Sequence, residues 1–257
     1  MTTERTPTIA RMYDYYLGGT ENLDVDREAA DQVIAAVPDV VAGIRQNRAF
    51  LGRAVRFLAA EAGIRQFIDI GAGLPTQGNV HEIAHGVDPA ARVVYVDFDP
   101  EVVAHAGALL AREPNAVAIE GDVRRPEELL AHPRLRELVD LDRPLAILMI
   151  AVVHFIPDAE DPAGVVGRYR DALPGGSYLA LTHATADGIP ADAASDAMDV
   201  YRSGVTPLYL RRRERVAAQL AGLTLVEPGL VNVAEWRPDA SKPDDPKLMF
   251  YGAVGRR

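Results

Sequence analysis

The sequence predicts an α/β fold with a parallel sheet, and two observations carry that prediction. Between residues 66 and 183, apolar runs such as PLAILMIAVV at 144–153 alternate with segments of helical spacing. Runs that are apolar at nearly every position are typical of strands buried on both faces of a parallel sheet. Residues 8–62 show only helical spacing. The chain therefore divides into a helical N-terminal cap at 1–62 and an α/β domain at 63–257.

The expected elements alternate along the α/β domain. Strands are predicted at 67–70, 93–99, 116–122, 144–153 and 177–183. The helices between them are predicted at 77–86, 100–112, around 126–131 and near 161–173. A helix-and-loop insertion, a helix and two strands should follow, at 186–205, 211–221, 223–231 and 248–255. The last two strands, joined by an exposed stretch at 237–245, would form an antiparallel hairpin at the sheet edge.

Composition and charge limit the classes of function. The chain of 257 residues is 48% hydrophobic and 25% charged, which suits a domain with a large core. A formal net charge of −10 disfavours nucleic acid and anionic membranes, because both partners reward clustered Lys and Arg. The chain has no cysteine, no apolar leader and no run long enough to span a bilayer. We expect a soluble, cytoplasmic protein.

The stretch FIDIGAGLP at 67–75 turns from an apolar strand into a glycine loop. Gly71 and Gly73 would let a ligand approach the backbone closely, but Thr76 occupies the third glycine position of the dinucleotide fingerprint. Asp69 lies two residues before the first glycine and would repel a pyrophosphate. A carboxylate at this place better suits a ligand that presents an ammonium group.

Further acids follow the next two strands. Asp97 lies in VDFD, near the spacing at which a carboxylate accepts charge-assisted hydrogen bonds from ribose hydroxyls. Asp99, followed by Pro100, fits the N-cap of the next helix. Asp122 comes after the third strand and would accept a hydrogen bond from an adenine amino group.

Taken singly, each of these acids is also explained as a loop cap or turn former. Asp69, Asp97 and Asp122 together with the two glycines describe a nucleoside that carries a positive tail. A nicotinamide dinucleotide is the alternative ligand, and the missing third glycine and the added acid disfavour it.

Three motifs of the chain resemble those of a known family. The series DIGAG, VDFDP and GDV is similar to the motifs of S-adenosylmethionine-dependent methyltransferases with the Rossmann-like fold. ARMYDYYLGGTENLDVDREAA at 10–30, ILMIAVVHFIPDAED at 147–161 and the closing FYGAVGRR are similar to one bacterial family of small methyltransferase-like proteins. That narrower likeness runs nearly from end to end.

The resemblance implies a Rossmann-like, seven-stranded, mostly parallel sheet with an antiparallel last strand, plus a helical N-terminal cap. It implies S-adenosyl-L-methionine as the cofactor and no particular methyl acceptor. By position, Asp69, Gly71 and Gly73 would line the methionine end, Asp97 the ribose and Asp122 the adenine. The predicted cofactor contacts are completed by Arg11, Tyr13, Ala72, Phe98, Asp99, Val123 and Ala151.

His154 is the predicted catalytic residue. It follows the strand at 144–153, at the edge toward which a methyl group would point, and a base helps acceptors that must lose a proton. The alternative is a histidine that only hydrogen-bonds its own loop. His183 is a second candidate, whereas His81 and His85 share a helix face without a third metal ligand.

The N-terminal segment allows two interpretations. One is an amphipathic helix that buries Met12, Tyr13 and Tyr16. The other is a lid, in which Arg11 or Asp14 meets the methionine tail and Gly18–Gly19 turns tightly against the ligand.

The basic run RRRER at 211–215 fits a solvated helix face better than a nucleic-acid patch. We therefore expect a methyltransferase that acts on a small, apolar or aromatic acceptor. One alternative is a protein that binds S-adenosylmethionine or S-adenosylhomocysteine and regulates a partner without chemistry. A nicotinamide-dependent oxidoreductase is the other alternative.

Overall fold

A mixed β-sheet forms the centre of the computed structural model, which describes residues 6–75, 78–239 and 247–257. The strand order is β3-β2-β1-β4-β5-β8-β6, with β7 also paired to β8. Strands β1 to β5 are parallel, and β8 runs antiparallel to β5 and β6. The strands are β1 (Gln66–Ile70), β2 (Arg92–Asp97), β3 (Ala116–Glu120), β4 (Ala146–Met149), β5 (Tyr178–Ala184), β6 (Thr224–Leu225), β7 (Val231–Asn232) and β8 (Phe250–Arg256).

The α-helices of the described residues lie before, between and after these strands. They are α1 (Ile9–Leu17), α2 (Asp24–Ala36), α3 (Val40–Arg56), α4 (Val80–His85), α5 (Pro100–Leu109), α6 (Pro126–Leu130), α7 (Pro133–Leu138), α8 (Pro162–Ala172), α9 (Ala191–Gly204) and α10 (Arg213–Gln219). None of the helices in these described ranges is both long enough and apolar enough to cross a membrane.

Helices cover both faces of the sheet, because successive side chains of a strand point to opposite sides. In β1, Phe67 packs into a core shared with α1 to α5, whereas Ile68 packs into a second core shared with α6 to α8 and α10. All five residues of β1 and all four of β4 are buried. This burial on both faces is what the near-continuous apolar runs of the sequence predict.

The predicted mostly parallel sheet with an antiparallel last strand is confirmed. Two details of the prediction are wrong. The apolar run at 223–231 forms only the short strands β6 and β7, because Pro228 cannot donate a ladder hydrogen bond and Gly229 has a φ of +88°. Within the described residues the sheet has eight strands where seven are expected, because this run contributes both β6 and β7. The expected antiparallel pairing of the closing strands at the sheet edge is confirmed, since β6 and β7 both pair with β8.

Strand β4 is shorter than the predicted strand at 144–153, and this changes the site. The strand ends at Met149, and a single turn of 3₁₀ helix follows at Val153–Phe155. His154 therefore lies in a helical turn rather than directly after a strand. Of the other sequence predictions, Thr76 and the part of the 237–245 stretch from residue 240 onward lie outside the described residues.

Candidate active site

A cavity of about 290 Å³ opens at the carboxyl ends of β1, β2 and β4, where parallel sheets of this type bind their ligands. The glycine loop forms its floor, and the N-terminal segment up to Asp14 covers it. The predicted site residues that line it are Tyr13, Asp69, Gly71, Ala72, Gly73, Asp97, Phe98, Asp99 and Ala151. Arg11, Asp122 and Val123 are not among its lining residues.

The glycine loop is shaped for a close ligand. Gly71 and Gly73 have φ values of +73° and +64°, a region that favours glycine. A Cβ on Gly71 would lie 2.5 Å from a methyl group of Val152, whereas a Cβ on Gly73 would meet nothing within 4 Å. Gly71 is therefore required by packing, and Gly73 leaves open space beside the loop for a ligand.

Asp97 connects the loop to the end of β2. One carboxylate oxygen accepts a hydrogen bond from the Gly73 amide at 2.8 Å, and the other accepts one from the Asp99 amide at 3.0 Å. A carboxylate has about four lone-pair sites, so two or more stay available for hydroxyl donors. Burial raises the pKa of Asp97, and the backbone amides of Asp99, Gly73 and Phe98 oppose that effect. Such a preorganised, buried acceptor fits a pair of ribose hydroxyls.

Asp69 is buried at the end of β1, and burial raises its pKa to about 7. Arg48, on α3, lowers that pKa and lines the same cavity. The Arg48 guanidinium also donates to the Gly78 carbonyl at 3.3 Å and to Asn79 Oδ1 at 3.4 Å. A cation and an anion therefore stand at the same end of the cavity, which suits the carboxylate and ammonium groups of an amino-acid tail.

Arg48 is a functional candidate that the sequence interpretation missed. A signal was available, because Ile44, Arg48 and Leu51 share one face of α3 and the two apolar residues are buried. A charge inside an apolar stripe needs a partner, and that partner lies in the cavity rather than in the nearby sequence.

Arg11 and the Gly18–Gly19 pair do not have the ligand-facing positions that the lid hypothesis gives them. Arg11 donates to the buried Asp26 at 2.7 Å and to Glu101 at 3.3 Å, so it docks α1 onto α2 and α5 instead of facing the ligand. Gly18 ends α1 with a φ of +81°, and a Cβ on Gly19 would lie 1.9 Å from the Asp14 carboxylate. The two glycines thus complete a helix end.

Tyr13 and Asp14 of α1 line the cavity, and so do other cap residues such as Ile9, Arg48 and Leu51. The Tyr13 hydroxyl accepts a hydrogen bond from Asn47 Nδ2 at 3.0 Å, and burial raises its pKa. One Asp14 oxygen accepts hydrogen bonds from the Glu21 amide and from Asn22 Nδ2, both at 2.9 Å. Helix α1 thus buries an apolar face, as the first interpretation predicts, and it also lies over the glycine loop, as the second one does.

Phe98 extends the cavity toward a shallow depression of about 430 Å³ that Gly121 and Asp122 also line. The Phe98 ring is 64% exposed, which leaves its face free to stack on a flat ring. Burial opposes ionisation of Asp122, but hydrogen bonds from Arg124 outweigh it and lower the Asp122 pKa. Val123 packs against the second core and does not line the depression.

A second cavity of about 80 Å³, here called the apolar chamber, adjoins the first. Ile9, Tyr13, Ala151 and Phe155 line both cavities and form the junction between them. Ala151 has a φ of +56°, and its amide donates to Thr182 Oγ1 at 2.9 Å. A non-glycine residue held in this conformation often marks a functional site.

His154 lies in the wall of the apolar chamber and is 4% exposed. Its Nδ1 accepts a hydrogen bond from the Ala184 amide at 3.2 Å, so the neutral ring carries its proton on Nε2. Burial, together with His183 and Arg211, lowers its pKa well below the ordinary value. The ring is neutral at physiological pH, and the lone pair that a base would use is already engaged.

His183 and Arg211 form a buried network behind His154. His183 Nδ1 lies 2.7 Å from the Ala184 carbonyl, and Arg211 approaches His183 Nε2 at 3.0 Å. Arg211 also binds Asp158 at 2.7 Å and is 5% exposed. The interpretation of 211–215 as a solvated helix face is therefore wrong at its first residue, which connects the 153–158 segment to His183 on β5 inside the protein.

The comparisons with known proteins agree with this geometry. A family model described as S-adenosyl methyltransferase matches residues 2–257. The chain belongs to the S-adenosyl methyltransferase family. Its sheet and cap are similar to the crystal structure of a DUF574 family protein from Streptomyces avermitilis, with 42% identity over 98% of both chains and a TM-score of 0.94.

A methyltransferase candidate from Thermobifida fusca is similar as well, with 43% identity over 98% of this chain and 95% of that one, and a TM-score of 0.91. At 14% identity, the N-methyltransferase NodS from Bradyrhizobium japonicum in complex with S-adenosylhomocysteine shares the fold alone. It covers 96% of this chain and 98% of that one, with a TM-score of 0.52. None of the curated proteins compared with the chain matches it. S-adenosylmethionine is the cofactor of the family to which the chain belongs.

Proposed function

We propose that this protein is a cytoplasmic S-adenosylmethionine-dependent methyltransferase that methylates a small molecule. Residues 1–62 act as its cap, and residues 63–257 form the cofactor-binding domain. The observation that carries the proposal is the junction of Tyr13, Ala151 and Phe155, at which a cavity lined by charged groups meets a chamber lined by apolar ones. A sulfonium donor on one side and a neutral acceptor on the other would meet there.

The residues of the larger cavity fit the cofactor part by part. Asp97 would accept hydrogen bonds from the ribose hydroxyls, and Phe98 would stack on the adenine. Asp122, which already accepts hydrogen bonds from Arg124, would also accept one from the adenine amino group. Asp69 and Arg48 would hold the ammonium and carboxylate of the methionine tail. Gly73 would leave room for this tail beside the backbone.

The cofactor supplies a methyl group on a sulfonium: the lone pair of the acceptor bonds to the methyl carbon, and the electron pair of the broken C–S bond stays on sulfur. The protein contributes alignment, since fixing donor and acceptor in line supplies most of the rate in such transfers. Tyr13 and Phe155 would hold the two molecules in contact and keep water out. Where the acceptor loses a proton, that proton would pass to solvent water as the methylated product leaves the site.

We do not assign proton transfer to His154, because its Nδ1 is engaged by the Ala184 amide. The ring would instead form part of the wall against which the acceptor packs. The same observation favours a second candidate function, in which the protein binds S-adenosylmethionine and regulates a partner without chemistry. Accumulation of S-adenosylhomocysteine with any small-molecule acceptor would exclude that second candidate.

Calorimetry tests the proposal directly. Titrations with S-adenosylmethionine, S-adenosylhomocysteine and NAD should give binding of the first two and none of the third. Asp39→Ala is a suitable control, since Asp39 is exposed and caps no helix through its side chain. Binding of NAD alone would overturn the proposal.

A further inference from the structure

The apolar chamber has a lining that selects by charge. No Asp, Glu, Lys or Arg occurs among the described residues that line it. Apart from the junction residues, its walls consist of Tyr16, Val33, Val37, Val40, Ile44, His154, Ala184, Thr185, Ile189, Ala194, Ala197, Tyr201, Leu208, Leu210, Met249 and Phe250. A charged group that entered would lose its hydration without gaining a counter-ion, which costs several kcal/mol.

One polar atom of the chamber points to a ligand. The hydroxyl of Tyr16 is buried, and within the described part of the chain it has no hydrogen-bond partner inside 3.5 Å. The Tyr201 hydroxyl, from α9, interacts with it across the chamber, but the contact does not have the geometry of a formed hydrogen bond. Burial raises the pKa of both phenols, so both are neutral donors and acceptors. Buried hydroxyls of this kind ordinarily have a partner, and a ligand would supply it.

We propose that the apolar chamber binds the body of the methyl acceptor and selects an uncharged, mostly apolar molecule whose hydroxyl group bonds to Tyr16. This inference rests on the proposed function, because it names the acceptor class of the same site. The chamber volume of about 80 Å³ is near half of the roughly 150 Å³ apolar cavity that admits benzene. A single ring therefore fits only by extending into the junction, which brings its far end toward the cofactor.

A fluorinated phenol tests the inference without any methyl transfer. Binding of 4-fluorophenol is measured by ¹⁹F NMR to the protein loaded with S-adenosylhomocysteine and to the unloaded protein. We expect millimolar or tighter binding, and at least tenfold weaker binding of 4-fluorobenzoate, which carries a charge. Equal binding of the two probes, or no binding of 4-fluorophenol to either form, would overturn the inference.

Two variants locate the bound probe. Ala197→Phe places a benzyl group in the chamber from α9, where Ala197 is buried, and should reduce 4-fluorophenol binding at least tenfold. Ser195→Phe is the control, because it introduces the same side chain at an exposed position of the same helix. Circular dichroism and urea denaturation show whether each variant keeps its fold. Unchanged 4-fluorophenol binding by Ala197→Phe would place the probe elsewhere and contradict the inference.

Tyr16→Phe tests the hydroxyl itself and perturbs the core least. It should weaken 4-fluorophenol about threefold to tenfold, the effect of one neutral hydrogen bond, and leave 4-fluorotoluene unchanged. Equal weakening of both probes would contradict the hydrogen bond. If S-adenosylhomocysteine fails to bind while 4-fluorophenol behaves as expected, the proposed function fails and the chamber remains a binding site for neutral hydroxylated molecules.

Discussion

The two cavities share four lining residues and yet differ in nearly every other property. The larger one contains Asp69, Asp97 and Arg48, while the described lining of the apolar chamber contains no acidic or cationic side chain. In the larger cavity, backbone amides donate hydrogen bonds to Asp97, and the positive charge of Arg48 favours the ionised form of Asp69. The walls of the second belong to helices and loops that come from distant parts of the chain. Among the described lining residues, charged side chains therefore lie on one side of the junction, and variants of either cavity can test that division.

The largest effect is expected from Asp97→Ala. Asp97 would accept two hydrogen bonds from ribose hydroxyls, and a charged acceptor contributes about 1.5 to 3 kcal/mol to each. We expect the Kd of S-adenosylhomocysteine to rise at least 100-fold by calorimetry. Binding of 4-fluorophenol to the apolar chamber should not change. If both ligands were weakened equally, the two cavities would not be independent.

Asp69→Asn should change the dependence of stability on pH. The Asp69 pKa is about 7 in the folded protein and about 3.9 in the unfolded chain. A raised folded-state pKa means that the native state binds more protons than the unfolded state between these values. The stability that Asp69 contributes is therefore present below pH 4 and is lost as the pH rises through 7.

The variant lacks this titration. Its free energy of unfolding, compared with that of the wild type by urea denaturation, should improve by about 2 to 3 kcal/mol between pH 5 and pH 8. The wild-type protein without ligand is the reference at each pH, and Asp39→Asn is a control for an exposed aspartate. A difference that does not vary with pH would show that Asp69 is ionised throughout this range.

Arg48→Met should weaken only ligands with an amino-acid tail. Loss of one charge-assisted hydrogen bond to a carboxylate costs about 1.5 kcal/mol or more, so the Kd of S-adenosylhomocysteine should rise about tenfold. Methylthioadenosine has the same nucleoside and no tail, and its Kd should stay the same. Equal losses for both ligands would mean that Arg48 supports the loop at Gly78 and Asn79 rather than the tail.

The sequence predicts the lining of the larger cavity far better than that of the apolar chamber, and the reason is physical. Asp69, Gly71 and Asp97 follow strands of one parallel sheet, so their positions along the chain place them at one edge. The apolar chamber has no such rule, because only tertiary packing brings Tyr16 on α1 and Tyr201 on α9 close to His154. In that packing, α9 lies against α2. Apolar residues on these helices have the spacing of any core-facing helix.

The same limit explains the two predictions that changed most. Arg11 and Arg48 both lie on cap helices, and sequence proximity to a glycine pair favours Arg11, whereas tertiary packing pairs Arg11 with Asp26 and brings Arg48 to the cavity. The length of an apolar run predicts His154 directly after a strand. That run continues past the strand because Ala151 to Val153 are needed by the junction and the core, not by the sheet.

The smallest expected effect is that of Ala151→Gly, at the junction. Ala151 has a φ of +56°, a conformation that costs an alanine about 1 kcal/mol and a glycine almost nothing. Glycine also loses more backbone entropy on folding, by about 0.5 to 1 kcal/mol, so Ala151→Gly should leave the free energy of unfolding within about 0.5 kcal/mol of the wild type.

Ala151→Val should destabilise by about 2 kcal/mol, because a β-branched residue fits this conformation poorly. Valine would also narrow the opening between the cavities, so 4-fluorophenol should bind less tightly, with a smaller loss for S-adenosylhomocysteine, whose cavity Ala151 also lines. A stable Val variant that binds both ligands normally would show that neither strain nor contact at Ala151 controls the junction.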